Sequence, residues 1–559
     1  MNSKRWLISP LLTPQADERL SAFHPVLRQV LFNRGYSTDA EARAYLSAKA
    51  NYSTDPFQLT GMEVAVRRIR SAIEGEEKIA IYGDYDVDGV TSTTLLVEII
   101  RKLGGIVQEY IPNRFDEGYG LNSEALDMLI SADVGLVITV DCGIRSNAEA
   151  EHASERGLDL IITDHHQPGE MLPEALAIIN PKQIGDTYLN KELAGVGIAY
   201  KLAEGLAHDF SSSALDLDAV LDLVALGTVA DLAPLTGENR LLVRRGLANM
   251  RQTARQGLFS LAAVAELNLE KVNATNIGFV LGPRLNAAGR LDSALAAYEL
   301  LLTTDVKKAG ELAQQLELQN RERQALTQRI QQQAEAIILS EEPGSYLSFA
   351  VHPDFQSGIV GLAAARLVDI YYRPVIVGQE FEATTRCSCR SIPEFHITNA
   401  LDQCSDLLLR YGGHAAAAGF TVRNENLEAL KDRLKNLAAE ELKFQDLRPT
   451  LSADGTLSFS DLTPNLLKQL EYLQPTGYGN PDAVFVSRGV QVKSARTVGA
   501  DGRHLKLTLS DSRVAFDAIA FRLGHLLPSL SDRVDIMYSF EKNEYNGREY
   551  MQLNIRDIQ

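Results

Sequence analysis

Three short apolar runs, each closing on an aspartate, constrain the fold of this chain more than any other feature. Lys78–Tyr82 leads through Gly83 into Asp84, Leu136–Val140 into Asp141, and Leu158–Thr163 into Asp164. Runs of this length and composition read as buried strands. A helix-like stretch, Thr91–Leu103, follows the first run and a strand, Ile106–Pro112, follows that; the alternation then repeats and ends on Ala177–Ile179. Such alternation predicts a doubly wound α/β sheet. Ligands of these sheets bind beyond the carboxyl ends of the strands, where Asp84, Asp141 and Asp164 all fall, so distant residues converge on one crevice.

The chemistry starts at Gly83-Asp84-Tyr85-Asp86-Val87-Asp88-Gly89. Three carboxylates at alternate positions repel one another unless a cation sits among them. Further ligand types follow in Val140-Asp141-Cys142-Gly143, Thr163-Asp164-His165-His166 and Val229-Ala230-Asp231, the last also read as closing a strand-like run, although residues 195–300 as a whole read as mostly helical. A calcium-binding helix-loop-helix opens with the same acidic pattern. It needs a bidentate Glu at the twelfth loop position, where this chain has Leu95, and a helix before Asp84, where a strand is expected. Taken singly, Asp141 reads as a turn residue with Gly143, and His165 and His166 as polar loop residues. Their conjunction in one crevice is what points to metal chemistry. A set this rich in carboxylates favours manganese or magnesium over zinc.

With 559 residues and 45% hydrophobic content, the chain exceeds what one core needs. Residues 1–55 read as an N-terminal extension, 56–305 as the α/β domain, 306–340 as one long connector helix exposed at mid-length around Gln319–Arg323, 341–445 as a second α/β domain, and 446–559 as a small β-barrel. The barrel reading rests on short strands separated by turns such as Ala500-Asp501-Gly502 and Asn546-Gly547. The net charge of −18 argues against broad electrostatic capture of nucleic acid but allows a local basic groove. Four cysteines are too few for a disulfide framework, and no signal or membrane-spanning stretch is evident, so a soluble cytoplasmic protein is expected. Cys387 and Cys389 lack nearby ligand partners and read as small apolar residues.

In this order and spacing the four acidic segments resemble the DHH phosphoesterase superfamily, named for the triplet that here is Asp164-His165-His166. Cys389-Arg390-Ser391-Ile392 and the run Gly412–Gly419, with His414 inside it, look like the DHH-associated domain that partners this sheet in nucleases. With Gly118-Tyr119-Gly120-Leu121, the segment Gly282–Arg290 and the C-terminal OB-like barrel, the similarity covers nearly the whole chain. It points to the branch of single-strand-specific 5′-to-3′ DNA exonucleases of recombination and repair, which release 5′-mononucleotides.

The resemblance implies two divalent ions, Mn2+ or Mg2+, with Asp141 bridging, Asp84 and Asp86 completing one shell, and Asp88, His165 and Asp231 the other. His166 is expected beside the substrate phosphate and Asp164 behind it as an orienting group. Many members carry a histidine where this chain has Tyr82, so Asp84 is expected to take over that ligand. Arg114, Arg284, Asn286, Arg290, Arg390, Ser391 and His414 are the expected phosphate-binding residues. Seen alone, Arg284 and Arg290 also suit surface ion pairs, and His414 a turn. On the barrel, Phe485, Phe521, Arg503, His504 and Lys506 are candidates for base stacking and phosphate tracking. Single-stranded DNA with a 5′ end is the expected partner, delivered by a helicase and a single-strand-binding protein. A small-substrate phosphodiesterase of the same superfamily and a non-catalytic replication scaffold are the alternatives.

Overall fold

A computed structural model describes the chain except residues 1–3, 49–51, 115–116, 119, 211–214, 342–343, 500 and 546–547. Tyr119 and the turn residues Ala500, Asn546 and Gly547 therefore lie outside the described residues. The chain forms two compact units, a larger one of residues 8–319 and 453–559 and a smaller one of residues 1–7 and 320–452.

The larger unit is built on a five-stranded parallel sheet in the order Ile106–Tyr110, Lys78–Gly83, Val134–Val140, Asp159–Thr163, Ala177–Ile179. Lys78–Gly83 and Val134–Val140 are adjacent although a strand separates them in sequence. The chain therefore reverses its winding between them, and that reversal opens the ligand crevice of a doubly wound sheet. Register sets what lines it. Gly83 lies opposite Val140, Val140 opposite Thr163, and Thr163 opposite Ile179. The next residue on each strand is Asp84, Asp141, Asp164 and Asn180, so four polar side chains leave the sheet in one row.

Helix Val87–Lys102 follows the first strand and is buried along most of its length. It begins four residues before the helix-like stretch expected from Thr91, because the Asp86 carboxylate caps it by accepting the backbone N–H of Asp88 at 2.8 Å and of Gly89 at 3.2 Å. The run Thr91-Ser92-Thr93-Thr94 enters the core because each hydroxyl donates to a carbonyl one turn back, at 2.6–2.8 Å. Gly89 has a separate reason. A Cβ there would lie 2.4 Å from the carbonyl oxygen of Asp84, so only glycine lets the helix close on the acidic loop.

The C-terminal barrel closes through five strands, Phe485–Val498, His504–Ser510, Ala515–Ala520, Arg548–Ile558 and Arg533–Tyr545, the last pairing back to the first. Residues read as an N-terminal extension contribute to its core: Leu27, Val30, Leu31 and Tyr45 share one buried cluster with Phe459, Phe485 and Tyr538. Arg240, buried on helix Gly237–Met250, clasps these parts together. It donates to the carbonyls of Tyr472 at 2.9 Å, Leu473 at 3.2 Å and Gln474 at 3.1 Å, and also to that of Tyr45.

Helix Val306–Glu341 runs for 36 residues. Its polar middle is not uniformly exposed. Asn320 is buried, which its amide tolerates because it accepts from the Arg323 guanidinium at 2.8 Å. The smaller unit carries a mixed sheet in the order Leu408–His414, Ala417–Arg423, Thr384–Arg390, Val375–Glu380, Ser348–His352. Cys387 and Cys389 are buried in its core. Among the described residues no helix is long and apolar enough to cross a membrane.

Candidate metal centre

The acidic residues converge at the crevice. One ligand atom each from Asp84, Asp86 and Asp141 lie within 4.8 Å of one another, as do those of Asp88, His165 and Asp231, and those of Asp141, His165 and His166. Asp141 and His165 each belong to two of these groups. Asp141 sits in the left-handed region at φ 62°, a conformation costly for a residue with a side chain, and the turn is completed by Gly143 at φ 106°. His165 Nε2 lies 3.0 Å from Asp141 Oδ1, 3.7 Å from Asp231 Oδ2 and 3.9 Å from Asp88 Oδ2.

Asp231 differs from the strand-like reading. It follows helix Leu221–Ala230 at its C-terminus, donating its N–H to the Gly227 carbonyl at 2.9 Å. That helix is buried on all sides, so its apolar residues show no helical period.

Asp88 is held by a feature the sequence reading missed. Helix Gly195–Asp209 points its N-terminus at this carboxylate: the Gly195 N–H donates to Oδ2 at 2.7 Å and the Val196 N–H to Oδ1 at 2.8 Å. A Cβ on Gly195 would lie 2.8 Å from Asp141 Cβ, and one on Gly227 2.8 Å from Asp88 Oδ1. Both glycines are thus required by the packing around the acids. A second missed residue is Asn180, whose amide donates to the His166 carbonyl at 2.9 Å. The visible signal was its position directly after the last strand of the sheet.

Burial and mutual repulsion push the carboxyls of Asp84 and Asp141 well above the ordinary range, Asp88 up to about 7 and Asp231 up to about 8. Burial and the neighbouring His166 push His165 down to about 3. His166 behaves oppositely. Burial alone would lower it, but its Nδ1, 2.8 Å from Asp164 Oδ1, gains enough from that carboxylate to rise to about 9. Burial likewise opposes the charge on Asp164, yet the His166 contact prevails and holds that carboxyl below its usual range. Asp164 also accepts the N–H of Ile144 at 3.0 Å and of His166 at 3.0 Å.

These residues fit divalent cations. Asp84 Oδ1 and His165 Nε2 are buried and have no hydrogen-bond partner among the described residues. A neutral imidazole among carboxylates that cannot all be charged is an arrangement a cation would complete.

The remaining expected residues divide by unit. Arg114 lies over the ring of Tyr85 at 5.0 Å, beside the acidic loop. Asn286 accepts the Val87 N–H at 3.2 Å, and Gly289 approaches the Tyr85 carbonyl so closely that a Cβ would stand 2.5 Å from it. Helix Gly282–Leu291, which carries Arg290, therefore lies along the loop. Arg284 is engaged by Glu317 at 2.7 Å and the Val280 carbonyl at 2.8 Å. Tyr82 is a core residue donating to the Gly120 carbonyl at 3.0 Å. In the smaller unit, Arg390 donates to the Cys389 carbonyl at 2.7 Å, Ser391 to the Phe395 carbonyl at 2.7 Å, and His414 is exposed on the edge strand opposite Ala417. On the barrel, Phe485 is core, whereas Phe521 is 55% exposed and meets His504 edge-on at 5.3 Å. Arg503 pairs with Asp501 at 2.6 Å, and Lys506 lies opposite Arg496.

Three family profiles match successive parts of the chain: the DHH family N-terminal domain over residues 78–228, the DHHA1 domain over 344–440, and the RecJ OB domain over 453–557. The single-stranded-DNA-specific exonuclease RecJ of Escherichia coli K12 is 35% identical over 562 residues, covering 96% of each chain. The chain belongs to the RecJ family. Its Bacillus subtilis member is 38% identical over 537 residues, covering 95% of this chain and 68% of the relative. Among solved structures, RecJ from Thermus thermophilus in complex with Mn2+ superposes with a TM-score of 0.86 at 29% identity, covering 99% of this chain and 79% of that one. An exonuclease RecJ bound to manganese gives 0.61 at 33% identity over 70% and 98% of the two chains. The family thus accounts for the α/β sheet, the DHH-associated domain and the closed barrel together.

Proposed function

We propose that this protein is a metal-dependent exonuclease that hydrolyses single-stranded DNA from its 5′ end and releases 5′-mononucleotides in recombination and repair. The observation that carries the reading is the convergence of Asp84, Asp86, Asp88, Asp141, His165 and Asp231 at the winding reversal of the sheet, in a member of the RecJ family. In this reading Asp84, Asp86 and Asp141 hold one divalent ion, and Asp88, Asp141, His165 and Asp231 a second, either Mn2+ or Mg2+. When bound, such ions make water nucleophilic at neutral pH and balance charge on the phosphoryl oxygens.

The protein's own groups do the rest. His165, neutral, offers a lone pair; His166, kept protonated by Asp164, presents a cation and a proton to a phosphate oxygen. Asp164 positions His166 through its two contacts with that residue. Arg114, Asn286 and Arg290 beside the acidic loop are proposed to orient the terminal nucleotide, with Arg284, Arg390, Ser391 and His414 as further phosphate donors. The proposed domains are those expected from the sequence: 1–55, 56–305, 306–340, 341–445 and 446–559. A helicase and a single-strand-binding protein are the proposed partners, since either would present a single strand with a 5′ end. A cytoplasmic setting suits four cysteines that are all free.

The test is degradation of a long single strand labelled at either end, with Mn2+, against duplex and Asp141→Ala controls. Early mononucleotide release from the 5′ label, lost in the variant, is expected. Activity confined to short oligonucleotides would favour a small-substrate enzyme, and none with any divalent ion a scaffold.

A further inference from the structure

Three cations of the smaller unit converge on one cleft that the proposed chemistry leaves without a role. Arg373, Lys443 and Arg448 line it together with Tyr346, Asp446 and Leu447, and its volume is about 350 Å3. In a chain of net charge −18, three cations against one carboxylate are a local exception. None of the three is among the residues expected from the sequence to bind phosphate. The floor of the cleft is firm, since Leu447 is buried in the core of this unit and Tyr346 packs against that core.

Arg373 is fixed from both sides. Helix Ser357–Tyr371 ends on Tyr372 at φ 49°, and the Tyr372 hydroxyl reaches both Glu394 carboxylate oxygens at 3.2 Å. Pro374 follows, which restricts Arg373 to extended backbone, and its carbonyl accepts the Ser348 N–H at 2.9 Å. The Arg373 guanidinium donates to the Tyr372 carbonyl at 2.8 Å, and burial holds it below its usual pKa range. Lys443 follows helix Leu427–Leu442 and lies over the Phe444 ring at 4.7 Å. Neither cation has a carboxylate partner among the described residues. The one carboxylate of the cleft is taken: Arg448 grips Asp446 through two contacts of 2.7 Å and, with a smaller field from Arg5, holds it below its usual range. Cations suit the carboxyl ends of these two helices, but each end carries only about half a negative charge, so positive charge remains in surplus. A half-buried guanidinium without a counter-charge is a site that an anion would complete.

We propose that this cleft binds backbone phosphates of the single strand, giving the smaller unit a contact with DNA that involves none of the metal ligands. The inference rests on the proposed exonuclease function. Phosphate is the fitting anion because the Arg373 fork and the Lys443 ammonium offer several donors to its oxygens, while Arg448, though paired, adds charge. The backbone is the fitting source because Lys443 and Asp446 stand exposed, where a continuous strand can pass. Contacts to phosphate carry no sequence information, as a nuclease that consumes whole strands requires.

The test measures binding of a fluorescent oligodeoxythymidine to the full chain by anisotropy over a range of salt concentrations, in an Asp141→Ala background so that the strand is not consumed. Each phosphate contact on a single strand adds about 0.7 to the slope of log affinity against log salt. Lys443→Gln, which removes an exposed side chain, should lower that slope by about 0.7, and Arg373→Gln combined with it by about 1.4. At about 0.1 M salt the double variant should bind on the order of tenfold more weakly. An abasic strand of equal length should show the same losses, because its phosphates are intact. Arg433→Gln, which removes a cation of the same unit paired with Asp406, is the control and should leave the slope unchanged. An unchanged slope in both cleft variants, an equal fall in Arg433→Gln, or losses absent from the abasic strand would overturn the inference. Calorimetric binding of deoxythymidine 5′-monophosphate that the two substitutions abolish, with the strand's slope unchanged, would assign the cleft to free nucleotides instead. Degradation assays on the chain with Asp141 intact separate the two failures: if it consumes single strands while the cleft variants keep the parent's slope, only the cleft is wrong. If it consumes none, the function is wrong as well.

Discussion

Gly195→Ala is a one-atom probe of how the metal centre is built. Gly195 opens the helix whose N-terminus holds Asp88, and its φ is not in the left-handed region, so alanine meets no backbone penalty there. Helix propensity alone favours the change by up to about 1 kcal/mol. The added Cβ, however, would stand 2.8 Å from Asp141 Cβ, and 3.0 Å from both Asp141 Oδ1 and Asp88 Oδ2. Carbon atoms settle at about 3.5–4.0 Å, so Asp141 must retreat by roughly half an ångström or more. Overpacking of this size costs about 1–3 kcal/mol, offset only in part by propensity, so the melting temperature should fall by only a few degrees. Metal ligands tolerate about 0.2 Å, and disturbances just outside the ligand shell lower metal affinity about 10- to 100-fold. Mn2+ titration calorimetry should therefore show that loss, with calorimetric melting as the check on folding. Gly197→Ala on the same helix is the control, since its Cβ meets only the flexible end of Leu193 at 3.2 Å. Affinity within about twofold of the parent in Gly195→Ala would refute the reasoning, as would an equal loss in Gly197→Ala.

Two further outcomes follow from the same geometry. Asp88 and Asp231 titrate at about 7 and about 8 in the folded protein, above the ordinary carboxyl value near 4, so between those limits the folded state binds more protons than the unfolded. Their stabilising contribution is thus complete below about pH 4 and lost as pH rises to about 8. Metal-free protein should lose melting temperature relative to Asp231→Asn across that window, and a gap that stays constant or narrows in the other direction would contradict the burial argument. Arg240→Met should cost on the order of 3 kcal/mol, because it strips charged hydrogen bonds from buried carbonyls of Tyr45 and of residues 472–474. Calorimetry should show the barrel melting ahead of the sheet, and a single unshifted transition would argue against the clasp.

The sequence by itself determined where the acids of the crevice stand. Asp84, Asp141 and Asp164 each end an apolar run, and in a parallel sheet a run's end is the same edge for every strand. Gly89 and the acidic repeat were legible for a related reason: local chemistry demands them within one turn. What depended on distant packing was not legible. The run before Asp231 reads as strand-like inside a stretch that otherwise reads as helical, because a helix buried on every side has no polar face to mark its period, so only the fold shows Asp231 arriving from a helix end.

The reach of the first residues into the barrel core, and the backing of Asp88 by Gly195 and Val196, join segments far apart in sequence that share no pattern. The adjacent histidines give the sharpest contrast. Their identities were plain in the chain, yet their opposite charge states were not. Burial among competing groups makes His165 neutral, while Asp164, helped by the neighbouring carboxylates of Asp231 and Asp84, keeps His166 charged, and those surroundings exist only once the sheet has formed.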